Sequence, residues 1–454
     1  MKIVIAGAGE VGFHLAKLLS NEALNIIVVD LNKEKLAQIE SQIDVLTHRG
    51  DCASFKTMQE IGINETDILI AVTELQNTNL MSCLIAKKSG CKKVIARVTN
   101  PEYLERQNIL ALQRAGIDMM ISPEELAARE IFNLIEESVF NEAHSFDNGA
   151  LNLFGIILDK KAHILNKTVK EVSEMFGDKI SFIPIFIIRS NAYNYEHIIP
   201  RGSTQYRLDD HVYFIALESA KEMIYKISGK SHQNLSEVMI MGGGRIATKT
   251  ARLLKDAKHN VKIIEREKDR AYDLADTFHD ILIIHGDGRD GDLLEEEGIA
   301  ETDAFVAITG RSETNIMACL LAKTKGVKKT IALVENTDYI HLSQEIGIDG
   351  FINKKLMAAN AIFKHIRKGK VLDVTNLYDL QAEVLEFRVD ENSKIAYMKI
   401  SDLKFPKNAI VGGVIREGKG YIPSKDFVIH PYDRVVVFSQ PDSIDRVEEY
   451  FEIR

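Results

Sequence analysis

The sequence has no apolar run close to the ~20 residues that a membrane-spanning helix needs. Its longest apolar stretches, such as Ile183–Ile188 and Val435–Phe438, have the length of strands. Only a handful of apolar residues precede Gly7, too few for the core of a signal peptide. Cysteine is scarce, with four in 454 residues and no CxxC pair, so a disulfide scaffold is excluded. A basic surplus is missing too: 57 Lys and Arg stand against 66 Asp and Glu, for a net charge of −9. Binding nucleic acid by phosphate neutralisation needs the opposite balance. The 13 histidines show no HExxH or other metal spacing, and no GxSxG elbow exists. No Ser/His/Asp or paired-carboxylate arrangement stands out. These absences predict a cytoplasmic protein with no membrane insertion, nucleic-acid partner, metal site or catalytic residue. The length predicts two to four domains at about 100–200 residues each.

What the sequence does contain is an internal repeat. The segment Ile3-Val4-Ile5-Ala6-Gly7-Ala8-Gly9-Glu10-Val11-Gly12 returns as Val238-Met239-Ile240-Met241-Gly242-Gly243-Gly244-Arg245-Ile246-Ala247, with Asp30 matching Glu265 at the same offset. After one inserted residue, Gly50-Asp51 pairs with Gly286-Asp287 and Thr73 with Thr309. Thr78-Asn79-Leu80-Met81-Ser82-Cys83-Leu84 likewise pairs with Thr314-Asn315-Ile316-Met317-Ala318-Cys319-Leu320. So many matches with one indel mark a duplication.

Each copy alternates apolar strands with helical segments, which predicts an α/β fold with a doubly wound parallel sheet. Residues 2–6 read as a buried strand, and Ile26–Val29 as a second ending at Asp30. Behind each copy, residues 151–216 and 380–438 hold short alternating strands that match one another loosely, Asp210 and Val212 with Asp433 and Val435. The predicted order is a Rossmann lobe (1–130), a small α+β lobe (140–226), a second Rossmann lobe (235–360) and a second small lobe (370–454). The polar stretch Ser228–Asn234 reads as the linker between the halves.

GxGxxG alone is a weak signal, but here it follows a strand, opens a helix and precedes an acid at the end of the next strand. Gly7 allows the tight turn, Gly9 lets a pyrophosphate approach and Gly12 lets the helix pack on the sheet. The N–H groups at the helix start, around Ala8, Glu10 and Val11, are placed to hold phosphates. Asp30 can accept from ribose hydroxyls and would repel a 2′-phosphate, favouring NAD over NADP. ATP or ADP would fit as well. In the second copy Gly242, Gly243, Gly244, Arg245, Ile246 and Ala247 form the turn, with Ala247 replacing the third glycine, and Glu265 is the acid. Asp51 and Asp287 suit adenine or ribose contact, or serve only as turn or cap residues. Thr73, Glu74 and Thr309 end apolar strands, where open α/β sheets bind ligands. Arg97 ends another and either clamps phosphate oxygens or makes a surface ion pair. Its counterpart is Leu333, so a clamp at Arg97 would make the two sites differ in affinity or ligand. Cys83 and Cys319 read as small buried hydrophobes.

Two Rossmann lobes, each followed by a small α+β lobe, resemble the RCK family (regulators of potassium conductance, also called KTN) in its fused double form. The resemblance spans essentially the whole chain. It is carried by Gly7-Ala8-Gly9-Glu10-Val11-Gly12 with Asp30, by Gly50-Asp51, and by Ile95-Ala96-Arg97-Val98-Thr99-Asn100-Pro101-Glu102-Tyr103. It implies nucleotide contacts at the glycine turn, Asp30, Thr73 and Arg97, and in the second half at Gly242, Gly244, Glu265, Asp287 and Thr309. Family members bind NAD(H) and adenine nucleotides as effectors. Their Rossmann units form rings of eight, so a chain carrying two copies implies a homotetramer. The implied role is nucleotide-dependent control of a Trk-type potassium transporter from the cytoplasmic face of the inner membrane. The contrasting possibility is an NAD-dependent oxidoreductase, which would need an acid or base beside the nicotinamide. A DNA-binding repressor would need a basic helix-turn-helix, and none is present.

Overall fold

The computed structural model describes every residue except 21–23, 178–180, 192–193, 231–233, 337–338, 340–345, 367–370, 377–381 and 453–454. The first Rossmann lobe has six parallel strands, β1 (Lys2–Ala6), β2 (Asn25–Asp30), β3 (Leu46–Arg49), β4 (Ile68–Ala71), β5 (Lys93–Arg97) and β6 (Met119–Ile121). Their order in the sheet is β3-β2-β1-β4-β5-β6. The unbroken apolar run of β1 has a simple cause. Ile3 and Ile5 enter the core under one layer of helices, and Val4 and Ala6 enter the core under the other. A strand covered on both faces has no solvent side on which to place polar residues.

After the first small lobe the pattern repeats. Strands β7 (Glu142–Phe146), β8 (Leu151–Ile157), β9 (Phe182–Asn191), β10 (Asn194–Ile198) and β11 (His211–Ala216) form an antiparallel sheet in the order β10-β9-β11-β8-β7. The second Rossmann sheet consists of β12 (Glu237–Met241), β13 (Asn260–Glu265), β14 (Leu282–His285), β15 (Ala304–Ala307), β16 (Lys329–Leu333) and β17 (Gly350–Ile352), ordered β14-β13-β12-β15-β16-β17. The last sheet, β18 (Val371–Asn376), β19 (Glu383–Arg388), β20 (Ala409–Arg416), β21 (Lys419–Tyr421) and β22 (Arg434–Ser439), is ordered β18-β19-β22-β20-β21 and matches the first small sheet strand for strand.

The loose small-lobe repeat has a physical basis. Arg189 Nε and Nη2 each donate at 2.8 Å to the two carboxylate oxygens of Asp210, and Arg416 does the same to Asp433 at 2.8 Å. Asp210 also accepts from the backbone N–H of Arg207 at 2.8 Å, and Asp433 from that of His430 at 2.7 Å. Both aspartates are buried, so each is a buried charge that its arginine and a backbone donor must satisfy. The two small sheets pack on each other, with Phe186 and Phe438 stacked 4.7 Å apart amid Leu153, Ile215, Val384 and Val436.

The Rossmann lobes exchange helices. Helix Pro123–Glu136 follows β6 of the first lobe, yet buries Ala127, Ala128, Ile131 and Leu134 against Ile246, Ala247, Ala251 and Leu254 of the second. Helix Lys354–Ile366 follows β17 and returns the arrangement, placing Ala358, Ala359, Ile362 and Phe363 against Val11, Leu15 and Leu19. Both starts are capped: Ser122 Oγ accepts from Glu125 N at 3.2 Å, and Asn353 Oδ1 from Lys355 N and Leu356 N at 3.1 Å. At the far ends, the receiving lobe supplies a lysine to backbone carbonyls. Lys329 Nζ donates to Ser138 and Phe140, and Lys93 Nζ to His365. Of the stretch read as a linker, Ser228 is buried at the end of helix Lys221–Ser228, and Gly229, at φ +67°, caps that helix. Residues 231–233 of that stretch lie outside the described residues.

Candidate nucleotide site

The first glycine turn is built by close approach. Gly7 has φ +117°, and a Cβ there would meet Thr73 N at 2.9 Å. A Cβ on Gly12 would lie 1.9 Å from the Gly7 carbonyl oxygen, so the helix Glu10–Ser20 sits as near the sheet as a missing side chain permits. Gly9 differs from both, since a Cβ there would meet nothing within 4 Å. Asp30, at the end of β2, accepts from Ala8 N at 2.6 Å and from Asn32 N at 2.8 Å. It therefore fixes the turn and the next loop while lining the space in front of them.

That space is a cleft of about 1340 Å³ over the C-terminal ends of β1, β2, β4 and β5. It brings together Ala8, Gly9, Glu10, Val11, Asp30, Asp51, Thr73, Glu74 and Arg97. Gly7 and Gly12 do not line it; they shape the turn behind it. Val11 is largely committed to the core, and Glu74 reaches Lys35 at 3.5 Å. Asp51 accepts from Ala53 N at 2.8 Å, which makes it a turn residue as well as a lining one. Glu10 pairs with Lys355 of the second lobe at 2.7 Å. Arg97 meets no carboxylate among the described residues, and its buried Nε has no hydrogen-bond partner there. A guanidinium donor without a protein acceptor, on the wall of a cleft that faces a helix N-terminus, suits an anion.

The second turn has the same backbone and a different charge. Gly242 has φ +106°, and Gly243 N donates to Glu265 at 2.6 Å. A Cβ on Gly244 would meet open space, and Ile246 and Ala247 are buried. Around it, Arg245, Arg266, Arg270, Arg289 and Arg311 stand where the first copy has Glu10, Leu31, Lys35, Ala53 and Leu75. Arg270 Nε donates to the Gly243 carbonyl at 2.8 Å. Arg289 grips Asp287 through both carboxylate oxygens, and these hydrogen bonds pull that carboxyl down to about 2. Asp287 is thus engaged by its own lobe.

The model of the TrkA-N domain matches residues 3–123 and 238–354, and that of the TrkA-C domain matches 384–452. The chain belongs to the TrkA family. A Trk system potassium uptake protein TrkA homolog from Methanosarcina mazei is 30% identical over 99% of this chain and 100% of its own. One from Archaeoglobus fulgidus is 32% identical over 99% and 100%. The solved GsuK channel bound to NAD superposes with a TM-score of 0.59 at 15% identity, over 99% of this chain and 78% of that one. The matched relatives are named as potassium uptake proteins, not as enzymes. Among the described residues no helix is long and apolar enough to cross a membrane, and no cluster of potential metal ligands occurs.

Two features of this TrkA-family chain were not legible in the sequence. Asn79 Oδ1 accepts from Thr73 N at 2.8 Å and Thr73 Oγ1 at 2.6 Å, while its Nδ2 donates to the carbonyls of Thr73 and Arg97 at 3.0 Å. Asn315 makes the same four bonds to Thr309 and Leu333. A buried amide with every bond satisfied holds the two strand ends beside the turn. The second feature is that Ser312, Glu335, Asn336, Lys354 and Lys355 of the second lobe complete the first cleft. All four cysteines are free and buried, and burial pushes the Cys52 thiol up to about 12. Reactive thiols sit at the other extreme.

Proposed function

We propose that the chain is a nucleotide-sensing regulatory subunit that controls potassium uptake through a Trk-type membrane transporter. NAD or NADH is the effector of the first cleft, and ATP or ADP compete for the same kind of site. The supporting observation is the cleft itself: the open Gly9, the Asp30 carboxylate, and Arg97, whose buried Nε has no hydrogen-bond partner among the described residues, all line it beside a helix N-terminus. Asp51, Thr73 and Glu74 complete its base and nucleoside side. At the second turn Gly242, Gly243, Gly244, Arg245, Glu265 and Thr309 form an analogous site whose arginines favour a more heavily phosphorylated ligand.

The subunit assembles as a homotetramer, a gating ring on the cytoplasmic face of the inner membrane. Ligand binding shifts the ring between two arrangements, which requires that the ligand prefer one of them. An ordinary allosteric coupling is about 1–3 kcal/mol. Movement between the Rossmann units (1–130 and 235–360) and the small units (140–226 and 370–454) carries the change to the transporter. Calorimetric titration of the full chain with NADH, ATP and ADP tests the reading. Saturable binding lost in Gly9→Val supports it, and no binding of any of the three contradicts it.

A further inference from the structure

Glu10 is the first residue of the helix whose N-terminus faces the first cleft, and its carboxylate lies 2.7 Å from the ammonium of Lys355. Lys355 belongs to the other Rossmann lobe. It also lies 2.7 Å from Glu335, which in turn holds Lys354 at 2.7 Å. All four residues line the cleft. The position of Lys355 is set by packing rather than by a loose loop. Asn353 caps its backbone N–H at 3.1 Å, and the helix it begins is anchored in the first lobe through Ala358 and Ile362. Burial works against its charge, and the bonds to Glu10 and Glu335 more than offset this, holding its pKa above the ordinary lysine value.

We propose that Lys355 is a phosphate ligand of the first cleft, contributed across the lobe interface, and that Glu10 competes with the nucleotide for it. This rests on the nucleotide reading above and names the part of the site that couples the two lobes. Three observations favour it. Glu10 is the first residue of a helix whose N-terminus favours anionic oxygens, and its carboxylate holds the Lys355 ammonium at 2.7 Å, as a phosphate oxygen would. A dinucleotide's pyrophosphate carries two negative charges and the phosphates of ADP or ATP carry more, against one on a carboxylate, so each competes with Glu10 for the ammonium. Lys355 keeps Glu335 as a partner in the exchange, so no buried charge is left alone. At the second turn the corresponding positions are Arg245 and Glu124, the opposite signs, so the lysine is particular to the first cleft. Binding there replaces a lobe-to-lobe contact with a ligand-to-lobe contact, and the helix Lys354–Ile366 feels the difference.

The test titrates the full chain, at low salt, with ATP, ADP, NADH and adenosine, in wild type, Glu10→Gln, Lys355→Gln and the double variant. Lys355→Gln weakens the three phosphate-bearing ligands about ten-fold and leaves adenosine unchanged. Glu10→Gln tightens the same three about three-fold, the scale of one exposed ion pair, and has no effect once Lys355 is gone. That tightening is a result a merely structural role would not give, and it survives if Lys355→Gln folds poorly. Unchanged or weaker binding in Glu10→Gln, independent effects of the two substitutions, or an equal loss for adenosine each overturns the proposal. If Gly9→Val abolishes binding while Lys355→Gln does not weaken it, this inference fails alone. If Gly9→Val leaves binding intact, the nucleotide reading fails with it.

Discussion

The ammonium of Lys329, in the second Rossmann lobe, lies 2.7 Å from the carbonyl oxygen of Phe140, just past the end of the first lobe's crossover helix. It is a buried charge spent on holding one lobe's helix against the other. Lys93 makes the repeat-related contact to His365 at a longer 3.4 Å. The helix exchange is therefore pinned at both ends, by the Ser122 and Asn353 caps at the starts and by lysines at the finishes.

Lys329 makes stability depend on pH. Burial lowers its pKa from 10.5 to about 8. Between those values the unfolded chain binds a proton that the folded chain does not, so stability rises with pH across that window. The contribution is fully present above 10.5 and lost as pH falls through about 8. The free energy of urea unfolding of wild type, relative to Lys329→Met, is expected to climb between pH 7 and pH 10, by an amount approaching about 3 kcal/mol. A difference that stays flat with pH would show that the lysine titrates normally.

The second and third glycines of the first turn, Gly9 and Gly12, should separate binding from folding. Gly12→Val drives a side chain into the Gly7 carbonyl, so it lowers the melting temperature of the chain by several degrees or prevents folding. A Cβ at Gly9 has no protein atom within 4 Å, so the melting curve of Gly9→Val stays near wild type while NADH binding is lost. Calorimetry on both variants decides. Equal destabilisation by the two would mean that Gly9 serves packing and not a ligand.

Much of this was legible in advance, for identifiable reasons. The β-α-β alternation and both glycine turns are local patterns, since a strand, a tight turn and a helix start are written in consecutive residues. The small-lobe repeat showed as Asp210 and Val212 matching Asp433 and Val435, without the arginines, because Arg189 and Arg416 come from a different strand whose spacing to the aspartate is not constant. Asn79 was visible as a repeated residue, but its role depends on Arg97, a strand away. Lys354 and Lys355 were invisible as cleft residues because the helix exchange that delivers them is a tertiary event between segments more than 300 positions apart. Arg97 was left open between an ion pair and a clamp, and among the described residues it makes no ion pair.

Asp30 should set the ribose preference. Asp30→Ala removes an acceptor from the ligand and also frees Ala8 N, so NADH binding weakens by about ten-fold or more. The same change removes the charge that repels a 2′-phosphate, so the ratio of NADH to NADPH affinity falls. Parallel titrations with the two cofactors measure it. An unchanged ratio would place the ribose elsewhere.

Arg97→Leu should weaken phosphate-bearing nucleotides about ten-fold and flatten the dependence of their affinity on salt. Adenosine affinity is the control and stays the same. Titrations at low and high ionic strength separate the loss of a charge contact from a change in shape. A uniform loss that includes adenosine would assign Arg97 to the architecture of β5 instead.

The most direct measurement is potassium or rubidium flux into liposomes that carry a Trk-type membrane subunit, with and without this protein, and then with NADH, ATP and ADP in turn. The account predicts flux that depends on the protein, changes with nucleotide, and loses its nucleotide response in Gly9→Val. Flux indifferent to the protein, while NADH still binds it tightly, would contradict the regulatory role and leave only the nucleotide site standing.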